Sequence, residues 1–174
     1  MTRISIVGIS GSGKSTLANR LGKKLNIQVV HLDKYFWNAD WTERYSREDF
    51  KKVSDEFTNR DEWIIDGNYR SSIEYRFERA DTIIFLDYPK WKSILRVLKR
   101  VLNRNQPFDK SEGAKEKVGW HLIKYILKYP VHEMRERVDR HKNGKNIYIA
   151  KNDREINSLL EKLYPNFTPS LPYL

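Results

Sequence analysis

At 174 residues the chain can bury one sizeable core but not two, so a single domain covering residues 1–174 is expected. It contains no cysteine, which excludes disulfides and thiolate metal sites, and no apolar run approaches the roughly 20 residues of a membrane-spanning helix, so a cytoplasmic protein without a membrane partner is expected. Lys and Arg number 33 against 23 Asp and Glu, a net charge of +10, which implies polyanionic partners: nucleotides in a cleft or nucleic acid on a face.

The apolar run Ile4 to Val7 reads as a buried first strand, and Gly8-Ile9-Ser10-Gly11-Ser12-Gly13-Lys14-Ser15 follows it directly. This segment fits G-x-x-x-x-G-K-[ST] and stands between a strand and a helix, where a phosphate-binding loop must stand. Its small residues let backbone N–H groups converge on nucleotide phosphates that larger side chains would block. Lys14 is spaced to reach the β- and γ-phosphates of ATP and Ser15 to hold Mg²⁺, while the helix opening at Lys14 turns its positive end to the same anion. Gly8, Ser10, Gly11, Ser12, Gly13, Lys14, Ser15 and Thr16 are therefore the candidate nucleotide-binding residues. A turn that bound nothing would give no reason for Lys-Ser beside three glycines.

Leu17, Leu21 and Leu25 share one face of a helix over 14–25 that Asn26 ends, and Gln28 to Leu32 reads as a second strand ending at Asp33. Ser46 caps a helix carrying Phe50, Val53 and Phe57 inward. Glu62 to Asp66 is a third strand, Ser71 to Arg79 a short helix, and Thr82 to Leu86 a fourth strand closed by Asp87-Tyr88-Pro89. Continuous apolar strands alternating with helices indicate a parallel sheet covered on both faces, with functional loops at its carboxyl edge. From Trp91 to Asn143 the pattern turns helical: 91–105 repeats Arg96, Arg100 and Arg104 along one stripe, and a helix over 116–129 is interrupted at Pro130 before 131–140. Ile147 to Ala150 is a fifth strand, Asn152 caps a last helix, and residues 164–174 form an aperiodic tail.

Asp66 ends an apolar strand and is the candidate second magnesium residue; its bland reading is a turn cap beside Gly67. Asp87 has the same form, and a strand-end turn accounts for it. The loop at the start, Ile65-Asp66-Gly67-Asn68-Tyr69-Arg70 in the middle and Asp87-Tyr88-Pro89 followed by arginines resemble the adenylate kinase family, whose middle segment reads Asp-Gly-Phe-Pro-Arg. Nearly the whole chain resembles adenylate kinase-related proteins labelled topology modulation proteins, or FlaR-like. Val30-His31-Leu32-Asp33-Lys34-x-Phe36-Trp37, Asp61-Glu62-Trp63-Ile64-Ile65-Asp66-Gly67-Asn68-Tyr69 and Arg96-Val97-Leu98-Lys99-Arg100 carry that likeness. The resemblance implies an α/β fold with a five-stranded sheet of order 2-3-1-4-5 and a helical lid over 91–143. It also implies Arg96 against the bound nucleotide, Arg100 on phosphates and Arg70 on the transferring or acceptor phosphate.

After the second strand the chain departs from that family. Asp33-Lys34-Tyr35-Phe36-Trp37 is more like the loop of uridine and nicotinamide riboside kinases, in which Asp33 would take the proton of an acceptor hydroxyl and the aromatics would stack on a ring. A strand-end Asp followed by core aromatics is the alternative. The histidines have no metal-ligand spacing.

The expectation is an enzyme of monomeric or homodimeric form, with Mg-ATP as cofactor, that moves the γ-phosphoryl group to a small nucleotide, nucleoside or metabolite. Lys14, Asp33, Asp66, Arg70 and Arg100 would carry the reaction. Two alternatives remain: a DNA topology modulation protein that binds nucleic acid through the basic lid, and a nucleotide-sensing protein without turnover.

Overall fold

The structure, a computed structural model, describes residues 2–38, 40, 42–102 and 120–165. Its elements are β1 (Arg3–Gly8), α1 (Lys14–Leu25), β2 (Val29–His31), α2 (Leu32–Phe36), α3 (Arg47–Thr58), β3 (Trp63–Asp66), α4 (Arg70–Arg79), β4 (Thr82–Leu86), α5 (Lys90–Leu102), α6 (Trp120–Leu127), α7 (Val131–Arg140), β5 (Asn146–Ala150) and α8 (Asp153–Leu163). Five parallel strands form one sheet in the order β2-β3-β1-β4-β5, the order that the family resemblance implies.

Alternation along β1 divides the core. Ile4 and Ile6 face Leu17 and Leu21 of α1 and Ile156 and Leu160 of α8. Val7 belongs to the opposite layer, with Phe50, Phe77, Val97, Ile126 and Val138 from α3 to α7. The described helices of the expected lid thus contribute to the same core as the sheet; the rest of that segment, with Arg104, lies outside the described residues, as does the tail beyond residue 165.

Capping follows the local chemistry. Asn26 closes α1 at φ 56°, Ser46 Oγ accepts from the Asp49 amide at 3.1 Å, and Asn152 Oδ1 accepts from the Glu155 amide at 3.0 Å. Pro130 stands at the N-cap of α7, so the break there makes two helices. One expectation is corrected: β2 stops at His31, and Asp33 lies inside α2 instead of ending a strand. Continuing the strand would place Lys34 on the same face as Leu32 and Phe36, whereas a helical turn buries that pair four residues apart and leaves Lys34 outside.

Gly22 is required by a close approach between layers. A Cβ there would stand 2.4 Å from Val29 Cγ2 and 3.0 Å from the Ile27 carbonyl oxygen. Gly22→Ala is expected to lower stability by about 1–3 kcal/mol through overpacking, despite the better helix propensity of Ala. Urea unfolding checks this; an unchanged or raised midpoint would refute the steric account.

Candidate active site

The glycine loop hangs from the carboxyl end of β1, with β3 and β4 on either side. Register sets the geometry: Ile6 pairs with Asp66, and Gly8 with Leu86. Asn68, just past β3, uses both ends of its amide on Gly8, accepting from its N–H at 3.0 Å and donating to its carbonyl at 2.7 Å. Tyr129, between α6 and α7, donates its hydroxyl to the same Asn68 oxygen at 3.3 Å. α5 presses on the loop from the other side. Gly11 holds φ 81°, and a Cβ there would stand 2.6 Å from the Ser93 carbonyl and 2.8 Å from Val97. Only glycine fits both the conformation and the gap.

At the start of α1, Ser15 Oγ donates to Asp66 Oδ2 at 2.7 Å, so the loop hydroxyl and the β3 carboxylate meet as the sequence pattern implies. The other oxygen of Asp66 lies 2.6 Å from His31 Nδ1, and His31 Nε2 lies 3.1 Å from Asn19 Oδ1. Both Asp66 and His31 are buried. Arg76 is wholly buried and donates to the Gly67 carbonyl at 2.9 Å. Burial pushes its guanidinium down to about 10, against the pull of the Asp66 charge, so it is still a cation at neutral pH. Lys14 Nζ donates to the Ile9 carbonyl at 3.0 Å, folded over the loop it belongs to.

Arg96 reaches the loop from α5. It donates to the Ser12 carbonyl at 3.3 Å, lies 5.0 Å from the Tyr88 ring and pairs with Asp153 at the start of α8. Lys92 reaches Asp153 at 3.1 Å and Tyr88 donates to it at 2.9 Å. Burial opposes ionisation of Asp153, but the hydrogen bond and charge of Arg96, with Tyr88 and Lys92, hold its carboxyl below the ordinary value. Arg100 lies one turn further along α5, half-buried.

On the opposite side of the loop, Tyr69 donates to Asp33 Oδ1 at 2.6 Å. Burial and then the Asp33 charge push the Tyr69 hydroxyl well above its ordinary value, so it stays a donor. Phe36 and Phe50 are buried against Tyr69, with ring centroids 4.9 and 4.6 Å away. Tyr35 packs on Phe57 at 4.7 Å and Trp37 on Phe36 at 4.8 Å. The aromatics of this segment are thus engaged with core rings. Arg70 is exposed and pairs with Glu133 of α7 at 3.0 Å. Asp87 is buried and paired with Arg135, while Arg137 and Arg140 both reach Glu74.

Ser15 and Asp66 offer one hydroxyl and one carboxylate oxygen side by side, a hard-oxygen pair that suits Mg²⁺ retaining waters and nucleotide phosphates. Among the described residues no group of three or more His, Cys, Asp or Glu side chains forms a separate metal cluster.

A protein-family model described as an AAA domain matches residues 4–158. The chain belongs to this family. The AAA domain is similar in fold to a shikimate kinase from Acinetobacter baumannii in complex with shikimate, at 14% identity and TM-score 0.61, covering 97% of this chain and 96% of that one. A shikimate kinase from Bacteroides thetaiotaomicron follows at 20% identity and TM-score 0.56, covering 94% and 96% of the two chains. Deoxyadenosine kinase from M. mycoides with bound dATP matches at 15% identity and TM-score 0.53, covering 94% and 99%. No curated protein matches the chain significantly in sequence.

Four residues that organise the site of this AAA domain escape the motif pattern. Asn68 stands where the Asp-Gly-Phe-Pro-Arg pattern has Phe, and that departure is its signal. His31 becomes visible once strand register places it opposite Asp66. Arg76 shares a helix face with buried Ile73, Phe77 and Ala80, an unusual place for a cation. Asp153 is masked by its position in the first turn of a helix, where an acid suits the dipole anyway.

Asn68→Ala removes two hydrogen bonds from Gly8 and is expected to weaken ATP binding about tenfold, measured by titration calorimetry; unchanged affinity would show that the loop needs no such hold. The lowered carboxyl of Asp153 stabilises the fold above the unfolded-state value of about 3.9, and that contribution disappears as pH falls through the folded value. The stability gap between the wild type and Asp153→Asn is therefore expected to be full at neutral pH and to close in acid, followed by denaturation at a series of pH values.

Proposed function

We propose that this AAA domain is an ATP-dependent phosphotransferase acting on a small acceptor. The observation that carries the reading is the contact of Ser15 with Asp66 at the mouth of the glycine loop, with Lys14 beside it. Phosphoryl transfer needs positive charge and alignment on phosphate oxygens more than covalent help. Lys14 would lie on the β- and γ-phosphates, the backbone from Gly8 to Thr16 would surround them, and Arg96 would meet the nucleotide from α5. Ser15 and Asp66 would hold Mg²⁺, which when bound neutralises phosphate charge. Arg100 would add a second cation to the transferring group. The likeness to shikimate kinase and deoxyadenosine kinase supports the kinase fold, and a reducing cytoplasm is the compartment proposed for it.

The acceptor would bind between α2 and the start of α4. Asp33, oriented by Tyr69, would receive the proton of an acceptor hydroxyl; Arg70 would instead meet a phosphate on the acceptor. The basic residues of α7 support the small-molecule reading over DNA topology modulation, because Arg135, Arg137 and Arg140 are already paired with Asp87 and Glu74.

ADP formation from Mg-ATP is expected with one member of a panel of shikimate-like polyols, deoxynucleosides and nucleoside monophosphates, and to fall at least a thousandfold in Lys14→Ala. If the acceptor is a hydroxylated molecule without phosphate, Asp33→Asn should lower kcat by about 10²–10⁴-fold. If it is a monophosphate, Arg70→Ala should chiefly raise KM. ATP binding with no acceptor-dependent turnover across the panel would refute the kinase reading and favour a nucleotide sensor.

A further inference from the structure

α5 presents three sectors around its axis. Ser93 and Val97 are buried, and Arg96 faces the glycine loop. The third sector is Trp91, Leu95, Leu98 and Leu102, at intervals of four, three and four residues, so that they stack along one stripe. These side chains are 65%, 57%, 38% and 81% exposed. The stripe is about 16 Å long at 1.5 Å per residue. α6 packs beside α5, with Lys90 Nζ donating to the Leu127 carbonyl, and leaves Trp120, Tyr125 and Leu127 at least half exposed. Isolated apolar side chains on a surface mean little, but a continuous leucine stripe that begins with the indole of Trp91 marks a contact.

Charge narrows what covers it. Residues 88–102 and 120–130 contain seven Lys or Arg and no Asp or Glu. Lys92 and Arg96 are tied to Asp153, whereas Lys99 borders the stripe and Lys124 and Lys128 are exposed on α6. Lys124 lies 5.6 Å from the Trp120 ring. A second copy docked through the stripe would set cations against cations. Duplex DNA would answer the charge and leave the leucines unmatched. An anionic lipid surface answers both, because leucine and indole enter the boundary between headgroups and acyl chains while lysines extend to the phosphates.

We propose that the exposed face of α5, continued by α6, docks on an anionic lipid bilayer as an interfacial helix. No helix among the described residues is long and apolar enough to cross a membrane, so the contact is peripheral. The sequence-based expectation of no membrane partner rested on the lack of a spanning segment, which does not bear on a helix lying in the interface. Docking through Trp91 and the leucines leaves the Arg96 sector of the same helix on the nucleotide side.

The test uses the purified full chain with vesicles of phosphatidylcholine alone or mixed with phosphatidylglycerol, and needs no kinase activity. Cosedimentation is expected with the mixed vesicles only, weakened about tenfold or more in Leu95→Gln/Leu102→Gln. Both leucines are exposed, so the variant is expected to keep its circular dichroism and ATP affinity. A second measurement uses the unmodified stripe: brominated lipids should quench tryptophan fluorescence, with less quenching in Trp91→Phe. Absence of binding to the mixed vesicles would overturn the proposal. So would equal binding by the leucine variant, which would mean adsorption by charge alone. Self-association or duplex DNA binding that depends on the leucines, without vesicle binding, would assign the face to those partners instead.

Discussion

A buried carboxylate needs compensation on every side, and the environment of Asp66 supplies it. Ser15 donates to one oxygen, His31 meets the other, and the wholly buried Arg76 adds a nearby positive charge. Removing any one of these partners would leave a charge or a polar atom in a medium that solvates it poorly. Three separate parts of the chain are thereby bound to one point: the start of α1, the end of β2 and the middle of α4. The same carboxylate stands next to the loop hydroxyl at the nucleotide mouth, so the electrostatics that stabilise the core also prepare the site.

The loop itself has little of its own to keep it open. Its glycines permit the required path without enforcing it, and enforcement comes from neighbours. Asn68 holds Gly8 by both backbone groups, α5 lies on Gly11 through Ser93 and Val97, and Arg96 reaches the Ser12 carbonyl. Arg96 is steadied in turn by Asp153 at the first turn of α8. The nucleotide loop is thus seated among β3, α5 and α8, elements that are distant in sequence and adjacent only after the sheet has formed.

This division explains what was legible from sequence. Capping at Ser46 and Asn152 and the left-handed stop at Asn26 follow from local pattern, because short-range chemistry determines them, whereas the strand order is implied by the family resemblance and the meeting of Ser15 with Asp66 by the motifs that carry them. The helical turn at Leu32 to Phe36 was not legible as a helix: five residues carry too little periodicity, and burial of two side chains decides the outcome. Arg76, Asp153 and Asn68 have partners nine, 57 and 60 residues away, so their roles exist only in three dimensions. The aromatics at 35–37 show the converse. Their composition fits a stacking platform or a core equally well, and only the folded chain shows these rings packed on Phe50, Phe57 and Tyr69, with Tyr35 and Trp37 still half-buried.

The central position of β1 has a bearing on biosynthesis. β1 leaves the ribosome before both of its sheet neighbours and lies between β3 and β4, whose residues begin at Trp63 and end at Leu86. At roughly 5–20 residues per second, Ile4, Ile6 and Val7 wait on the order of 4–16 s before both flanking strands have been made. Over that interval the nascent chain carries an unpaired apolar strand followed by a glycine segment that nothing yet holds. A chaperone acting on this protein during translation would have its natural substrate in β1 and the glycine segment after it.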